Sequence, residues 1–253
     1  MKASNGALEN FSVGRLIMKN PFLPIALLLC AAPLVAQPAE KPAKAKATKK
    51  VVRTTGTAFL RVLHAIPGGP SVDVYSGTIK VASDVSFKSL GDYMDVKSGK
   101  NAFKVVPAGK TEPSIVAEDK TLAKGKYFTL VVTGKQAATL LLVNDSAGKE
   151  IADKARVRVV HAAPGVPDVL VTVPSTRTAS GYANLLSNPL GYGTTASKSV
   201  KPTTTSIQIR GLDGHLIKEV GNVQLQAGHR YDAFALGAPG STFDVLVKPA
   251  ATK

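Results

Sequence analysis

The chain has 253 residues, no tryptophan and a single cysteine, and aromatic residues make up only 6% of it. The cysteine, Cys30, follows Leu29, whereas lipid attachment to an exported bacterial protein needs a small residue at that position. We therefore expect no lipid anchor. Cleavage after Ala36, argued below, would leave a protein without cysteine, which excludes disulfides, a thiolate nucleophile and cysteine metal ligands. Burial of apolar side chains must then stabilise the fold.

The common catalytic signatures are also missing. The sequence has no Gly-x-Ser-x-Gly elbow, no Gly-x-x-x-x-Gly-Lys-Ser/Thr phosphate loop and no Gly-x-Gly-x-x-Gly after a strand. Its 4 histidines show neither His-x-His nor His-x3-His spacing, so no ready set of metal ligands is visible. These absences favour a protein that is not an enzyme and that holds no cofactor or metal ion.

One short apolar run, residues 22–32, lies near the N-terminus. It is too short for a membrane span, which needs about 20 residues. Lys19 precedes the run and small residues follow it, which is the layout of a secretory signal peptide. The sequence thus predicts a signal peptide over residues 1–36, in which Met18-Lys19-Asn20 would be an ordinary start and residues 1–17 a misannotated extension. We expect an exported protein, periplasmic or extracellular, that has no transmembrane span once the signal is removed.

Positive charge is the main bias of the composition, because 32 lysines and arginines stand against 17 aspartates and glutamates, a net charge of +15. The charge is densest in residues 37–56, a segment of lysine, alanine and proline that we expect to be extended and disordered. A solvated spacer is the favoured interpretation, and the alternative is a tether to anionic cell-wall polymer or lipid headgroups. The segment has no aromatic residues to stack on bases, so no specific nucleic-acid binding is expected. The basic residues of such a tether would be Lys41, Lys44, Lys46, Lys49, Lys50 and Arg53.

The most informative stretch of the sequence occurs twice. Residues 61–70 read RVLHAIPGGP and residues 158–167 read RVVHAAPGVP, at a constant offset of 97. Both combine a run of β-forming residues with a Pro-Gly turn signal. The repeat predicts two copies of one module, at residues 57–147 and 154–250, joined by a short, turn-like connection.

Neither module shows the apolar stripe of a helix. Short runs of β-forming residues alternate with Gly, Pro, Asn and Asp turn signals, which is typical of a β-sandwich. The runs are 59–64, 72–75, 103–106, 114–117, 127–132 and 139–143 in the first module, and 155–161, 168–173, 203–210, 216–225, 230–236 and 242–247 in the second. The sequence therefore predicts an all-β protein of two tandem antiparallel β-sandwiches of the immunoglobulin or transthyretin type.

Alternation along the opening strand assigns its side chains to two faces. Leu60, Val62 and His64 share the core face, and Arg61 lies on the other. In the second copy His161 takes the place of His64. Each histidine therefore ends a core strand, and we expect it to bond a backbone carbonyl of the following turn. A metal-binding or acid–base role is the alternative, because imidazole titrates near neutrality and binds Zn and Cu ions.

These motifs resemble DUF4397, a β-sandwich family of unknown function found in exported proteins. The resemblance rests on residues 61–70, 72–75, 92–96, 103–105 and 125–134. The second copy has Leu170 in place of Asp73 and Thr172 in place of Tyr75, so a role of that pair would not transfer to it. The resemblance implies a fold and export, and it implies no reaction.

Six residues of the motif region are candidates for a site, although a structural role is the favoured interpretation. They are His64, Pro67, Asp73, Tyr75, His161 and Pro164. We expect a non-enzymatic, exported binding, adhesion or scaffold element whose partner is an envelope protein or glycan. Loops on a rigid scaffold commonly carry recognition, which makes the two Pro-Gly turns candidates. The basic tether is the first alternative, and a metal-dependent or hydrolytic enzyme at the module interface is the less favoured one.

Overall fold

The computed structural model describes residues 56–146, 152–240 and 242–250, and these contain strands, turns and loops without a helix. The all-β prediction is confirmed for these ranges. The expected signal peptide and the basic residues from Lys41 to Arg53 lie outside them. Nothing in the described ranges is a helix long and apolar enough to cross a bilayer.

The first module contains eight strands in two four-stranded sheets. The strands are β1 (Thr57–His64), β2 (Val72–Ser76), β3 (Ile79–Val85), β4 (Met94–Lys97), β5 (Gly99–Pro107), β6 (Val116–Leu122), β7 (Tyr127–Gly134) and β8 (Ala138–Asn144). The sheet that we call the first inner sheet has the order β4-β1-β7-β8, and the first outer sheet has the order β3-β2-β5-β6. The module is therefore a sandwich.

The second module repeats this plan. Its strands are β9 (Ala155–His161), β10 (Leu170–Pro174), β11 (Tyr182–Asn184), β12 (Thr195–Val200), β13 (Thr203–Arg210), β14 (Leu216–Leu225), β15 (Arg230–Leu236) and β16 (Asp244–Pro249). The second inner sheet has the order β12-β9-β15-β16, and the second outer sheet has the order β11-β10-β13-β14. The two-sandwich prediction is confirmed.

One pairing in each module is parallel rather than antiparallel. β1 pairs with β7 in register Arg61 to Thr129, and β9 pairs with β15 in register Arg158 to Asp232. The other strand pairings in the described ranges are antiparallel. The first strand of each module thus lies beside its next-to-last strand, so the beginning and the end of each module pair in the same sheet.

The sequence did not indicate the four strands that lie at one edge of each sheet, β3, β4, β11 and β12. An edge strand has a partner on one side only, and much of its surface faces water. The stretch Thr195–Val200 reads Thr-Ala-Ser-Lys-Ser-Val, yet it pairs with β9 along its whole length. Such strands form because a buried neighbour offers hydrogen bonds, so apolar alternation does not reveal them.

Each sandwich has its own apolar core between its two sheets. Leu60 and Val62 of β1 are fully or almost fully buried against residues of the first outer sheet such as Phe103. Val157 and Val159 of β9 occupy the same positions in the second core. The face assignment made from alternation along the opening strand is therefore correct.

A third apolar layer lies between the two inner sheets. Its buried members are Leu63, Ala65, Val131, Val143, Val160, Ala162, Phe234 and Leu236. They come from both modules, so the inner sheets pack face to face and the modules share one compact unit, Val51–Lys253. Strands β1, β7, β9 and β15 are consequently buried on both faces, which explains why each has apolar residues on both sides of the strand.

Four charged side chains lie inside this interface and form what we call the interface ion cluster: Arg61, Asp145, Arg158 and Asp232. Arg61 Nη2 is 2.7 Å from Asp232 Oδ2, and Arg158 Nη2 is 2.6 Å from Asp145 Oδ1 and 2.8 Å from Asp232 Oδ2. All four side chains are at most 6% exposed. Two positive and two negative charges therefore neutralise one another away from water.

Candidate functional site

The histidine that ends β1 fastens the turn that follows it. The ring of His64 is 1% exposed, its Nδ1 accepts a hydrogen bond from the Ile66 N–H at 3.2 Å, and its Nε2 lies 3.1 Å from the Pro70 carbonyl oxygen. Because Nδ1 accepts, the ring proton must be on Nε2, which donates to Pro70. Both ring nitrogens are thereby engaged with the backbone, and the bond to the Pro70 carbonyl is of the kind that the sequence led us to expect.

His161 does the same in the second module. Its Nδ1 accepts from the Ala163 N–H at 3.3 Å, and its Nε2 lies 3.2 Å from the Pro167 carbonyl oxygen. Burial lowers the pKa of both His64 and His161, and the bond to the proline carbonyl only partly offsets this effect. Both rings are held neutral, with no lone pair facing an open site.

The other motif residues occupy structural positions. Pro67 is half-buried and Pro164 is buried in their turns. Asp73 is 2% exposed and accepts hydrogen bonds from Lys80 Nζ, the Asp84 N–H and the Gly109 N–H. The bond from Lys80 is the main reason that the pKa of Asp73 is lowered.

Tyr75 lies near Asp73, with Lys80 Nζ 5.5 Å and Lys104 Nζ 5.8 Å from its ring centroid. The second module has no counterpart of this arrangement. There Thr172 is fully buried and its hydroxyl contacts Gln208 Oε1 at 3.3 Å. The pair Asp73–Tyr75 thus holds the first outer sheet together and differs between the modules, as the sequence comparison indicated.

The two turns after the histidines each border a cavity. The first end pocket, about 310 Å³, is lined by Ile66, Gly69 and Pro70 of the turn after β1, by residues 134–138 of the β7–β8 turn, and by Ile115. His64 forms part of its floor. The cavity lies at the end of the sandwich where β1 and β7 finish and β8 begins.

The second end pocket occupies the corresponding end of the second module and measures about 450 Å³. Its lining consists of residues 166–168, Gly211, Leu212, Asp213, His215, Ile217, Pro239, Gly240 and Phe243. Most of this surface is apolar, and Leu212 on the rim is 61% exposed. Sequence reasoning named the Pro-Gly turn that contributes Val166 and Pro167, and it missed the residues of the other two turns because only the fold brings the three turns together.

Polar groups stand at the rim of the second end pocket. His215 bonds the Asp213 carboxylate through its ring Nδ1 and through its backbone N–H, and the bond from the ring is the main reason that the pKa of Asp213 is lowered. Arg210 donates to the Gly214 carbonyl at 2.9 Å and lies over the Tyr182 ring at 4.1 Å. Arg210, which precedes the turn that carries Leu212, and His215, which follows it, therefore both form hydrogen bonds to that turn.

A glycine stands at the junction between the next-to-last strand of each module and the turn that follows it. Gly134 has φ of 146° and Gly237 has φ of 91°. A Cβ atom on Gly134 would lie 2.1 Å from the Ala137 carbonyl oxygen, and one on Gly237 would lie 2.1 Å from that of Thr242. Only glycine fits at either position, so both modules need a glycine where the next-to-last strand ends, although the turn that follows is longer in the second module.

The module interface offers no comparable arrangement for chemistry. Its buried carboxylates, Asp145 and Asp232, are paired with Arg61 and Arg158, and Asp145 also accepts from the Tyr93 hydroxyl at 2.6 Å. Burial is the main reason that the pKa of Tyr93 is raised. In the described residues no group of three or more His, Cys, Asp or Glu side chains is placed to hold a metal ion.

The family described as Domain of unknown function (DUF4397) matches residues 58–172. The match covers the first module and runs into the second as far as β10. It is a single match, so the expected second copy of the family over 154–250 is not found by this comparison. A search of curated proteins gave no match to the sequence.

Two solved structures were compared with the chain. One is the crystal structure of CBMbc (family CBM26) from Eubacterium rectale Amy13K with maltoheptaose, at 11% identity and a TM-score of 0.23, covering 78% of this chain and 98% of that one. The other is a Bacteroides ovatus protein whose description names cell adhesion, at 10% identity and a TM-score of 0.24, covering 77% and 98%. No function follows from likenesses at these TM-scores.

Proposed function

We propose that the chain is an exported, non-enzymatic binding protein whose second end pocket receives the ligand. The observation that carries the proposal is the apolar cavity of about 450 Å³ with Asp168, Asp213 and His215 beside it. Ligand pockets of proteins measure roughly 300–1,000 Å³ and combine an apolar lining with a few polar groups. Leu212, with 61% of its surface exposed, adds apolar surface at the rim without an evident role in the fold.

The test is a fragment screen by ligand-observed NMR against the full chain and two variants. Leu212→Ser removes the apolar rim of the pocket. Ile79→Ser is the matched control, because Ile79 is 69% exposed and follows the β2–β3 turn at the opposite end of the first sandwich. We expect fragments whose binding weakens in Leu212→Ser and is unchanged in Ile79→Ser. Fragments that bind both variants as tightly as the parent protein would lie outside the second end pocket, and this result would refute the proposal.

We also propose that the second sandwich is a diverged copy of the first. Supporting observations are the equal strand order of the two modules, the equal bonds of His64 and His161, and the equal placement of Gly134 and Gly237. The outer sheets differ at a motif position, since Leu170 stands where Asp73 does. A solved structure of the chain in which the modules superpose poorly would contradict a common origin.

Tethering through the basic segment stays a second proposal, and it rests on the sequence alone. Lys41, Lys44, Lys46, Lys49, Lys50 and Arg53 would contact an anionic polymer or lipid headgroups. Such binding weakens as salt rises, since exposed charges are screened within about 8 Å at physiological ionic strength. Deletion of residues 37–55 should abolish retention on heparin resin or anionic vesicles at low salt. Unchanged retention after that deletion would remove the proposal.

A further inference from the structure

We infer that the two end pockets form one bipartite site, and that its ligand is an extended peptide with two apolar side chains flanked by opposite charges. The inference rests on the proposed function, because it takes the second end pocket as one half of the site. It names the ligand class and adds the first end pocket as the other half. Three observations lead to it: the adjacency of the pockets, the chemistry of their linings and the charges at their rims.

Contacts across the modules place both pockets at the same end of the compact unit. Thr133, at the end of β7, donates to the Ala162 carbonyl at 2.7 Å, and the Gly237 N–H donates to the Ala65 carbonyl at 3.3 Å. The strands that border one pocket thus end beside the strands that border the other. Lys135, which lines the first end pocket, packs its stem over the opening turn of the second module.

The contact of Lys135 with that turn is close. A Cβ atom on Gly165 would lie 3.1 Å from Cδ and 3.3 Å from Nζ of Lys135. Gly165 is followed by Val166, Pro167 and Asp168, which line the second end pocket. One short stretch of surface therefore connects the two cavities, and a single extended chain can lie across both.

The linings favour apolar side chains over sugars. Ile66 and Ile115 line the first end pocket, and Leu212 and Ile217 line the second. Sugar rings are usually held by flat aromatic faces and dense hydrogen-bonding groups. The chain has no tryptophan, and Phe243, the aromatic residue of the second end pocket, is only 5% exposed. Aliphatic cavities of this kind accept Leu, Ile or Phe side chains, as a peptide provides at alternate positions.

The charges at the two rims have opposite signs. The second end pocket carries the carboxylates of Asp168 and Asp213, both exposed to water, and the first end pocket is lined by the exposed residue Lys135, whose side chain extends toward Gly165. A complementary peptide has Lys or Arg beside the apolar residue in the second end pocket. It has Asp or Glu beside the apolar residue in the first. Opposed charges of this kind fix the direction in which the peptide lies.

The experiment uses an array of 12-residue peptides, N-acetylated and C-amidated, probed with the labelled full chain. Each peptide holds two residues from Leu, Ile and Phe, one basic residue and one acidic residue, in all orders and separations. We expect binding for one order of the two charges. The double variant Asp213→Lys/Lys135→Glu should bind the reverse order, and Asp213→Asn should lower affinity about 2–5-fold, as expected for an exposed ion pair.

The matched control exchanges an exposed ion pair away from the pockets. Lys100→Glu/Asp119→Lys inverts the pair Lys100–Asp119, whose side chains are 74% and 51% exposed, and it should leave the charge order unchanged. The inference is overturned if peptides of both charge orders bind equally well. It is also overturned if the double variant Asp213→Lys/Lys135→Glu prefers the same charge order as the parent protein.

A parallel glycan array with the Leu212→Ser variant separates the two proposals. Glycan binding that weakens in Leu212→Ser, together with no peptide binding, overturns the peptide inference and leaves the proposed function standing. If neither array nor the fragment screen gives a signal that depends on Leu212, the proposed function fails as well. Peptide binding that depends on Leu212 and on charge order supports both.

Discussion

Arg61 and Asp232 are 171 residues apart in the sequence, and their side chains form an ion pair of 2.7 Å inside the interface between the two sandwiches. Asp232 Oδ1 also accepts from Arg158 Nε at 2.8 Å. One carboxylate of the second module therefore compensates a positive charge from each module. The two sandwiches are joined by an electrostatic network as well as by apolar contact.

Replacement of Asp232 by Asn should destabilise the protein strongly. The change leaves Arg61 and Arg158 buried beside a single remaining carboxylate, and breaking a buried pair costs about 3–5 kcal/mol. Urea unfolding should show this loss in the free energy of unfolding. The control, Lys100→Met, breaks the exposed pair with Asp119 and should cost at most about 1 kcal/mol. Equal effects of the two variants would contradict the role given to the cluster.

The first module should not be stable by itself. Expression of residues 57–147 alone uncovers Leu63 and Val131 and leaves Arg61 without Asp232. We expect this fragment to self-associate or precipitate, because a large apolar face would be exposed to water. Size-exclusion chromatography with light scattering measures the outcome. A monomeric fragment with a cooperative unfolding transition would show that the modules are independent domains.

Stability should fall as the solution is acidified below neutrality. Burial lowers the pKa of His64 and His161 in the folded state, whereas an exposed histidine has a pKa near 6.5. The unfolded chain therefore binds more protons, so the histidines contribute stability above about pH 6.5 and lose it as pH falls toward their folded pKa values. Protonation of Nδ1 would also break the bond from the Ile66 N–H.

The measurement is the urea midpoint at pH 7.5 and at pH 5.5. The double variant His64→Gln/His161→Gln should show a smaller difference between the two, because glutamine does not titrate. His229→Gln, which replaces an exposed imidazole, should behave like the parent protein. A full pH effect in the double variant would assign it to other groups.

Substitution of Gly134 by Ala should prevent folding or destabilise the chain severely. The added Cβ would lie 2.1 Å from a backbone oxygen that cannot move without opening the β7–β8 turn. Gly77→Ala is the control, because Gly77 has φ of 60° with open space around it, and it should cost only about 1–2 kcal/mol. The yield of soluble protein and the thermal midpoint distinguish the two. Similar thermal midpoints would contradict the steric argument.

In the described residues, periodicity and turn signals predicted every strand except β3, β4, β11 and β12, and β9, β13, β14 and β15 begin and end where the sequence indicated. These strands contain apolar residues at regular spacing because one or both faces are buried. Alternation also assigned His64 to the core face and Arg61 to the opposite one. Local sequence carries this information, because neighbouring residues determine which side of a strand is apolar.

The partners of Arg61 were not predictable from the sequence. Asp232 belongs to a strand 171 residues away. A single sequence does not distinguish an aspartate that is buried from one that is exposed. The two Pro-Gly turns were named as candidates, but the rest of the pocket linings was missed for the same reason, since Leu212 and Phe243 belong to different turns. Loops that meet only after folding leave no shared pattern along the chain.

The parallel pairing of β1 with β7 also sets the order in which the chain can fold. β1 finds its central neighbour only after residue 127, and its outer face is covered only when β15, from residue 230, arrives. Contacts between residues so far apart in the sequence form slowly. During synthesis, Arg61 and Leu63 of the first module therefore stay exposed to water until β15 has been made. The period after synthesis of the first sandwich and before synthesis of β15 is therefore the time at which the chain is most exposed to aggregation.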